Sequence, residues 1–250
     1  MLKIENTEVV GFEAAIRGMR NPMNSWDKSD SRYCSEYGHP PIEGSCEYCP
    51  HDKMCDKSEK SMQQMYLIED NDLNLMTTLR NAGTDHRKFM RMIVVYLDIT
   101  APLYWWKEFD TYKVGTVANS CSTMHKIHAK EFTFDDFSHE KLINSACMEI
   151  REQNIRISPI QALATTIECL NSYRDLYLQT KDKKYWWQMI QLLPSSYNQK
   201  RTVMLNYEVL ANMYKSRRNH KLDEWHTFCD WIERLPYSEL ITGQSVYEKC

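Results

Sequence analysis

The chain has 250 residues, 42% of them hydrophobic and 12% aromatic, which is enough apolar material for one sizeable core in a single domain. Its formal net charge of −3 excludes a global positive field that would hold nucleic acid or an anionic membrane, so an anionic ligand needs a local group of cations. Nine cysteines, no readable export signal and no bilayer-length apolar run predict a cytoplasmic protein with neither nucleic-acid nor membrane partners.

Helix and strand signals alternate along the first half of the chain. Apolar residues at helical spacing predict a short first helix that ends near Asn21-Pro22: Val9, Phe12, Ile16 and Met19. Residues 24–60 lose this periodicity and are rich in Ser, Asp, Pro and Cys, which predicts a long surface insertion. Helix signals return over residues 72–80, and residues 92–99, MIVVYLDI, give the strongest strand signal.

Helices dominate the predicted second half. Residues 103–112 are aromatic and compatible with a helix, and we expect their aromatic side chains in the core or at a subunit interface. The polar residues 115–123 predict a loop. Ser158-Pro159 has the N-cap and first-turn proline of a helix that runs to about Gln179, and two further helices are predicted over residues 199–218 and 222–235. The prediction is one α/β (α+β) domain over residues 1–250, with a small sheet, many helices and a Cys-rich insertion at about 24–60.

The insertion contains the spacing Cys34-x11-Cys46-x2-Cys49-x5-Cys55, with two histidines interleaved. A Cys-x2-Cys pair places two thiolates near one tetrahedral centre, and two further soft ligands from a loop close a structural zinc site. Four cysteines would equally hold an iron-sulfur cluster. Free thiols and disulfides are the remaining alternatives. Of the other cysteines, Cys121 has some potential as a nucleophile because it lies in the polar stretch.

Two blocks of the sequence resemble the flavin-dependent thymidylate synthases, the ThyX family. Residues 85–124, DHRKFMRMIVVYLDITAPLYWWKEFDTYKVGTVANSCSTM, are similar to the central block of that family. His86 falls on the family's Gly-His histidine and Ala101-Pro102-Leu103-Tyr104 on its Ala-Pro turn. In the second block, Leu193-Pro194 resembles the family's Leu-Pro, and its spacing places Asn206 and Arg217 on the family's helix asparagine and arginine.

The resemblance also has departures. The family's Arg-His-Arg triplet is Thr111-Tyr112-Lys113 here, the glutamine before it is Glu108, and the arginine before Leu-Pro is Ile190. A lysine in place of an arginine keeps the charge but loses the planar guanidinium group that binds a phosphate through two hydrogen bonds. In the loop that follows, Thr116 matches the family's first serine, and Asn119 and Ser122 match its asparagine and second serine if one residue is inserted.

The resemblance implies a ThyX-like fold and a flavoprotein that binds FAD and, with a folate as donor, adds one carbon to a pyrimidine deoxynucleotide such as dUMP. It implies cofactor contacts at five residues and catalytic roles at two: Lys113, Thr116, Asn119, Ser122 and Asn206, and Arg217 and His86. It also implies a homotetramer. The alternative is a non-catalytic nucleotide-binding or scaffold protein that kept the fold and lost the flavin, in which Ser122 and its neighbours cap the local backbone and Arg217 only complements a helix end.

Overall fold

The structure, a computed structural model, describes residues 1–33, 66–145, 148–150 and 155–243. Its eight strands are β1 (Lys3–Val10), β2 (Arg32–Tyr33), β3 (Tyr66–Leu67), β4 (Val94–Pro102), β5 (Thr116–Ser120), β6 (Met148–Ile150), β7 (Ile155–Ile157) and β8 (Asn198–Asn206). Its eight α-helices are α1 (Phe12–Arg20), α2 (Asp70–Asn81), α3 (Leu103–Phe109), α4 (Pro159–Thr180), α5 (Lys183–Leu192), α6 (Tyr207–Arg217), α7 (Asp223–Ile232) and α8 (Glu239–Thr242). In the described part of the chain, no helix has the length and apolar character that a membrane span needs.

The contacts divide the chain into two compact units. The first unit comprises Met1–Thr7 and Tyr96–Met204, and the second comprises Glu8–Val95 and Leu205–Cys250. The prediction from the sequence is a single domain over residues 1–250.

The first unit carries most of a four-stranded sheet with the order β1-β4-β8-β5. Along β4, Val95, Leu97 and Ile99 are buried, whereas Tyr96 is 42% exposed. This alternation follows from the two-residue repeat of a strand and gives the sheet one apolar and one open face. On the open face, the Asp98 carboxylate accepts hydrogen bonds from the Thr202 hydroxyl at 2.7 Å and from Asn6 at 2.9 Å.

The predicted strand and the predicted Ser158 helix are confirmed, but three other predictions were wrong. Val9, predicted in the first helix, lies in strand β1. Residues 199–206 form strand β8 rather than the start of a helix, because they pair with β4, and Val203 and Leu205 are buried on either side of half-buried Met204. Residues 116–120 form strand β5 rather than a loop. That strand lies at the edge of the sheet, where polar residues are common, so it lacks the apolar alternation that marks an inner strand. Helix α5 was not predicted at all.

Helices α4 and α5 cover a second apolar cluster of the first unit. Ser158 caps α4: its hydroxyl accepts from the backbone of Gln161, and the Gln161 side chain accepts from the backbone of Ser158. This capping box satisfies two groups that a helix start otherwise leaves unpaired. The cluster itself consists of Ile127, Phe132, Phe137, Leu163, Ile167, Leu170 and Met189.

The second unit is built around α6, whose residues Tyr207, Leu210 and Met213 are completely buried. The Tyr207 hydroxyl donates to the Pro236 carbonyl at 2.6 Å, so this buried polar group has a partner. Gly11 ends β1 and precedes α1 with φ +99°, a conformation that favours glycine. A Cβ at Gly11 would also lie 2.1 Å from the Met92 carbonyl oxygen.

The Asp72 carboxylate joins three segments of the second unit. Its Oδ1 accepts from Arg20 Nε at 2.7 Å, and its Oδ2 accepts from the hydroxyls of Ser29 at 2.7 Å and Ser31 at 2.6 Å. Neither charged side chain is exposed by more than 3%. Asp72 therefore fixes residues 29–31, which lead towards the Cys-rich segment, against α2.

Strands β2 and β3 pair antiparallel, with Tyr33 opposite Tyr66. The two rings are in edge contact at 4.9 Å. The chain therefore enters and leaves the segment between them at one place. The predicted metal ligands lie in that segment, outside the described residues: Cys34, Cys46, Cys49 and Cys55.

Candidate functional site

Helix α3 follows the Ala101-Pro102 turn directly, as the resemblance predicts for the strand, turn and helix. Trp105, Trp106 and Phe109 are buried in the first unit, which places them in the core. The Trp106 indole donates to the Gln199 carbonyl at 3.0 Å, and the Arg201 guanidinium lies 4.1 Å over the Trp106 ring. Helix α3 is thereby held against β8.

The altered triplet begins where α3 ends. The Thr111 hydroxyl donates to the Glu108 carbonyl at 2.7 Å and so serves the helix C-terminus. Lys113 is exposed and is the one cation of the triplet. A flavin pyrophosphate at this point would meet a single ammonium group rather than two planar guanidinium forks.

The predicted contacts on and after β5 do not converge within one chain. Thr116 and Asn119 have opposite parity on the strand, so their side chains leave it on opposite faces. The Thr116 hydroxyl oxygen is buried and lacks a hydrogen-bond partner among the described residues, whereas Asn119 is exposed. The Ser122 oxygen accepts a hydrogen bond from the backbone of His125 at 2.9 Å. Ser122 therefore caps the local backbone, as the non-catalytic alternative predicts.

In the second unit, the structure gives two of the three predicted residues a structural contact. Asn206 is the N-cap of α6, because its Oδ1 accepts from the Val209 backbone at 2.9 Å. The Arg217 guanidinium lies 4.9 Å over the buried ring of Trp225. His86 is exposed at the start of a short 3-10 helix, Arg87–Arg91.

Glu208, on the first turn of α6, is paired with Arg87 at 3.3 Å and with Arg91 at a shorter distance. Burial raises the pKa of Glu208, but the hydrogen bonds and charges of the two arginines outweigh it and hold that pKa below its ordinary value. Arg87 also donates to Asn212 Oδ1 at 3.1 Å. One carboxylate thus pairs with two arginines, of which Arg87 lines a cavity.

The cavity, which we call the basic pocket, has a volume of about 260 Å³ and lies within the second unit. Four cationic side chains line it, from α2, from the segment after His86 and from α6 and its C-cap: Arg80, Arg87, Lys215 and Arg218. The described residues that line it include no carboxylate. This pocket was not predicted from the sequence. The available signal was the i, i+3 spacing of Asn212 and Lys215 on one face of the predicted helix.

A second cavity of about 580 Å³ shares Arg218 and Asn219 with the basic pocket. It also contacts Cys229, whose pKa is raised to about 11 by burial and by nearby carboxylates, so that the thiol stays protonated at neutral pH. Over the described ranges, no group of three or more His, Cys, Asp or Glu residues could hold a metal ion.

No protein-family model matches the sequence, and no curated protein sequence is a match. Solved structures are similar over nearly the whole chain. Flavin-dependent thymidylate synthase ThyX from Helicobacter pylori, complexed with FAD and dUMP, aligns with a TM-score of 0.60 and 13% identity over 96% of this chain and 98% of that chain. The chain has a ThyX-like fold. A second structure of the Helicobacter pylori enzyme with FAD and dUMP gives a TM-score of 0.58 at 13% identity over 97% and 98% of the two chains.

A UMP/dUMP methylase, PolB from Streptomyces cacaoi bound with 5-Br dUMP, has a TM-score of 0.51 and 12% identity over 97% of this chain and 95% of that chain. At these identities the likeness concerns the ThyX-like fold alone. Many activities can occupy one fold, so the roles of Lys113, His86 and Arg217 depend on their own chemistry.

Proposed function

We propose that the chain binds a pyrimidine deoxynucleotide and acts as a ThyX-like, flavin-dependent enzyme that transfers one carbon to it from a folate. The observation that carries the proposal is a fold shared over nearly the full chain with proteins solved with FAD and dUMP. The first sequence block that resembles the family supports it, because Ala101-Pro102 lies between a strand and a helix, as the resemblance predicts.

The residues on β5 fit a polar, phosphorylated ligand. The buried Thr116 hydroxyl has no hydrogen-bond partner in the described part of the chain, and burying such a group without a partner is unfavourable. A ligand oxygen would satisfy it. Lys113 is close in sequence and exposed, so its ammonium is available to a phosphate. One lysine supports weaker phosphate binding than the arginines of the family's triplet.

When bound, the flavin supplies the hydride for reduction of the transferred carbon. In this proposal, Lys113 and Thr116 contact phosphate or flavin, and Asn119, Ser122 and Asn206 contribute further polar contacts. Arg217 donates hydrogen bonds that polarise the pyrimidine, and His86 lines the face on which folate or flavin lies. We further propose that several of these contacts come from different subunits of a homotetramer, which the opposite directions of the Thr116 and Asn119 side chains on β5 support.

The test replaces Thr116 with Val, which removes the hydroxyl and keeps the shape. Titration with FAD and with dUMP should show affinities lowered by roughly 3- to 12-fold, the equivalent of one hydrogen bond. The melting temperature should not fall, because the hydroxyl makes no protein hydrogen bond among the described residues.

Thr202→Val is the matched control. It also loses a hydroxyl, but that hydroxyl donates to Asp98. We expect the control to lower stability and leave both affinities unchanged. Unchanged affinities in Thr116→Val, or equal losses in the two variants, would contradict the assignment of Thr116.

A non-catalytic nucleotide-binding protein is the second candidate. It is favoured by the structural contacts of Asn206, Ser122 and Arg217, which need no ligand to explain them. The absorbance spectrum of the purified protein and a titration with FAD separate the two candidates. Flavin binding supports the enzyme, whereas dUMP binding without flavin binding supports the second candidate.

A further inference from the structure

We infer that the basic pocket is a separate binding site for the phosphate or pyrophosphate group of a small ligand. It lies within the second unit, and none of the residues that were assigned to flavin or nucleotide lines it. The inference goes beyond the proposed function and stands whether or not flavin chemistry survives.

The charges around the pocket are unbalanced. Arg80 is half-buried, and among the described residues its guanidinium donates only to uncharged oxygens, including the backbone carbonyls of Leu240 and Ile241 at 3.2 Å. Burial and the nearby charge of Arg87 lower the pKa of Arg80. The protein therefore holds two guanidinium groups near each other in a partly desolvated place, which is unfavourable without an anion.

In the part of the chain that the structure describes, carboxylates compensate only part of this charge. Glu208 is shared by Arg87 and Arg91, and Glu233 lies 3.9 Å from Arg218. Lys215 is exposed and adds a further cation to the lining. Since arginine forks and a lysine ammonium are the usual partners of phosphate oxygens, the chemistry of the lining selects a multiply charged anion.

The size of the pocket limits the ligand. A volume of about 260 Å³ is below the roughly 300–1,000 Å³ typical of sites for drug-sized ligands. A phosphate or pyrophosphate group fits this volume, whereas a complete dinucleotide such as FAD does not. The adjoining second cavity, which shares Arg218 and Asn219, leaves room for an uncharged part of the ligand, such as a nucleoside.

Two substitutions test the pocket without removing a contact that holds the fold. Lys215→Glu reverses an exposed charge of the lining. Asn212→Asp keeps the oxygen that accepts from Arg87 and adds a negative charge. Two matched controls make the same changes outside the pocket, at exposed residues of the same unit: Lys221→Glu and Asn74→Asp.

Calorimetric titration of the full-length protein at low salt would use inorganic pyrophosphate, UDP and uridine. Pyrophosphate and UDP should bind to the wild type, and both pocket variants should weaken that binding by about tenfold or more, as expected for a lost charge-assisted contact. Both controls should stay within about twofold of the wild type. Tighter binding of UDP identifies a nucleotide as the ligand, and equal binding identifies the free anion.

Uridine should not bind through this pocket, because it has no phosphate. Arg217→Ala should leave pyrophosphate binding intact, which separates this site from the nucleotide site of the proposed function. The inference is overturned if the folded wild type binds neither anion, if the controls weaken binding as much as the pocket variants, or if Arg217→Ala abolishes it.

Discussion

Replacing Asp72 with Asn should strongly destabilise the second unit. The Asp72 and Arg20 side chains are 0% and 3% exposed, and Asp72 accepts a hydrogen bond from Arg20 Nε at 2.7 Å. Arg20 Nη2 lies 2.6 Å from the same oxygen as an ion-pair contact that lacks hydrogen-bond geometry. Asn has one acceptor oxygen, so its amide nitrogen would face either Arg20 or the hydroxyls of Ser29 and Ser31.

The expected loss is about 3–5 kcal/mol, the usual cost of leaving one member of a buried ion pair without its partner. This is a large part of a typical total stability of about 5–15 kcal/mol. Burial raises the pKa of Asp72, but its hydrogen bonds outweigh burial and hold that pKa below 3.8. Because the pKa is depressed, the stabilisation is complete above pH 3.8 and is lost as the pH falls through the folded-state pKa.

Urea denaturation followed by circular dichroism at pH 7 measures the free energy of unfolding of Asp72→Asn. The control is Arg17→Ala, which removes an exposed ion pair with Glu13 and should cost no more than about 0.5 kcal/mol. If Asp72→Asn lowers the free energy of unfolding by no more than the control does, burial does not make this ion pair more costly to break than an exposed one, and the prediction is wrong.

The remaining predictions concern pH, ligand, metal and assembly. The pKa of Asp98 is lowered to about 2 by its hydrogen bonds, so wild-type stability should fall between about pH 4 and 2, and Asp98→Asn should reduce this dependence in acid denaturation. Arg217→Ala should weaken dUMP or FAD binding by about 1.5–3 kcal/mol if Arg217 contacts the ligand. Unchanged binding with a loss of stability would give Arg217 a structural role, to which its contact with the Trp225 ring contributes. Replacing Cys46 and Cys49 with Ser should remove bound zinc or iron, measured by metal analysis, and full retention contradicts the ligand assignment. Light scattering should give the mass of a homotetramer, and a monomer would contradict the shared site.

Local signals predicted the elements whose ends are fixed by nearby side chains. Ser158, Pro159 and Gln161 lie within one turn, so the start of α4 was predictable from the sequence. The start of α6 was not, because Asn206 becomes a helix cap only where β8 ends, and β8 exists through pairing with a strand distant in sequence. Strand β5 was not predicted for the same reason. It pairs at the edge of the sheet, and its polar sequence has no apolar repeat that would indicate a strand.

The candidate sites likewise contain some features that local spacing predicts and others that depend on tertiary packing. Spacing placed Ala101-Pro102 at the junction between a strand and a helix, where the structure has it. The basic pocket combines Arg80 and Arg87 with Lys215, which is separated from them by more of the chain than any local pattern spans. Their meeting depends on how α2 and α6 pack, which the order of residues does not reveal by itself.

Because Tyr33 pairs with Tyr66, the Cys-rich segment between them, residues 34–65, is expected to tolerate replacement by a segment of different length. Its two ends are already held side by side by the rest of the protein, so a ligand bound within residues 34–65 does not have to overcome the entropy of bringing the ends together. A two-residue hairpin turn could replace the whole segment without disturbing the strands at its base. Homologous proteins with insertions of very different length, or with none, could therefore share this point of entry and exit.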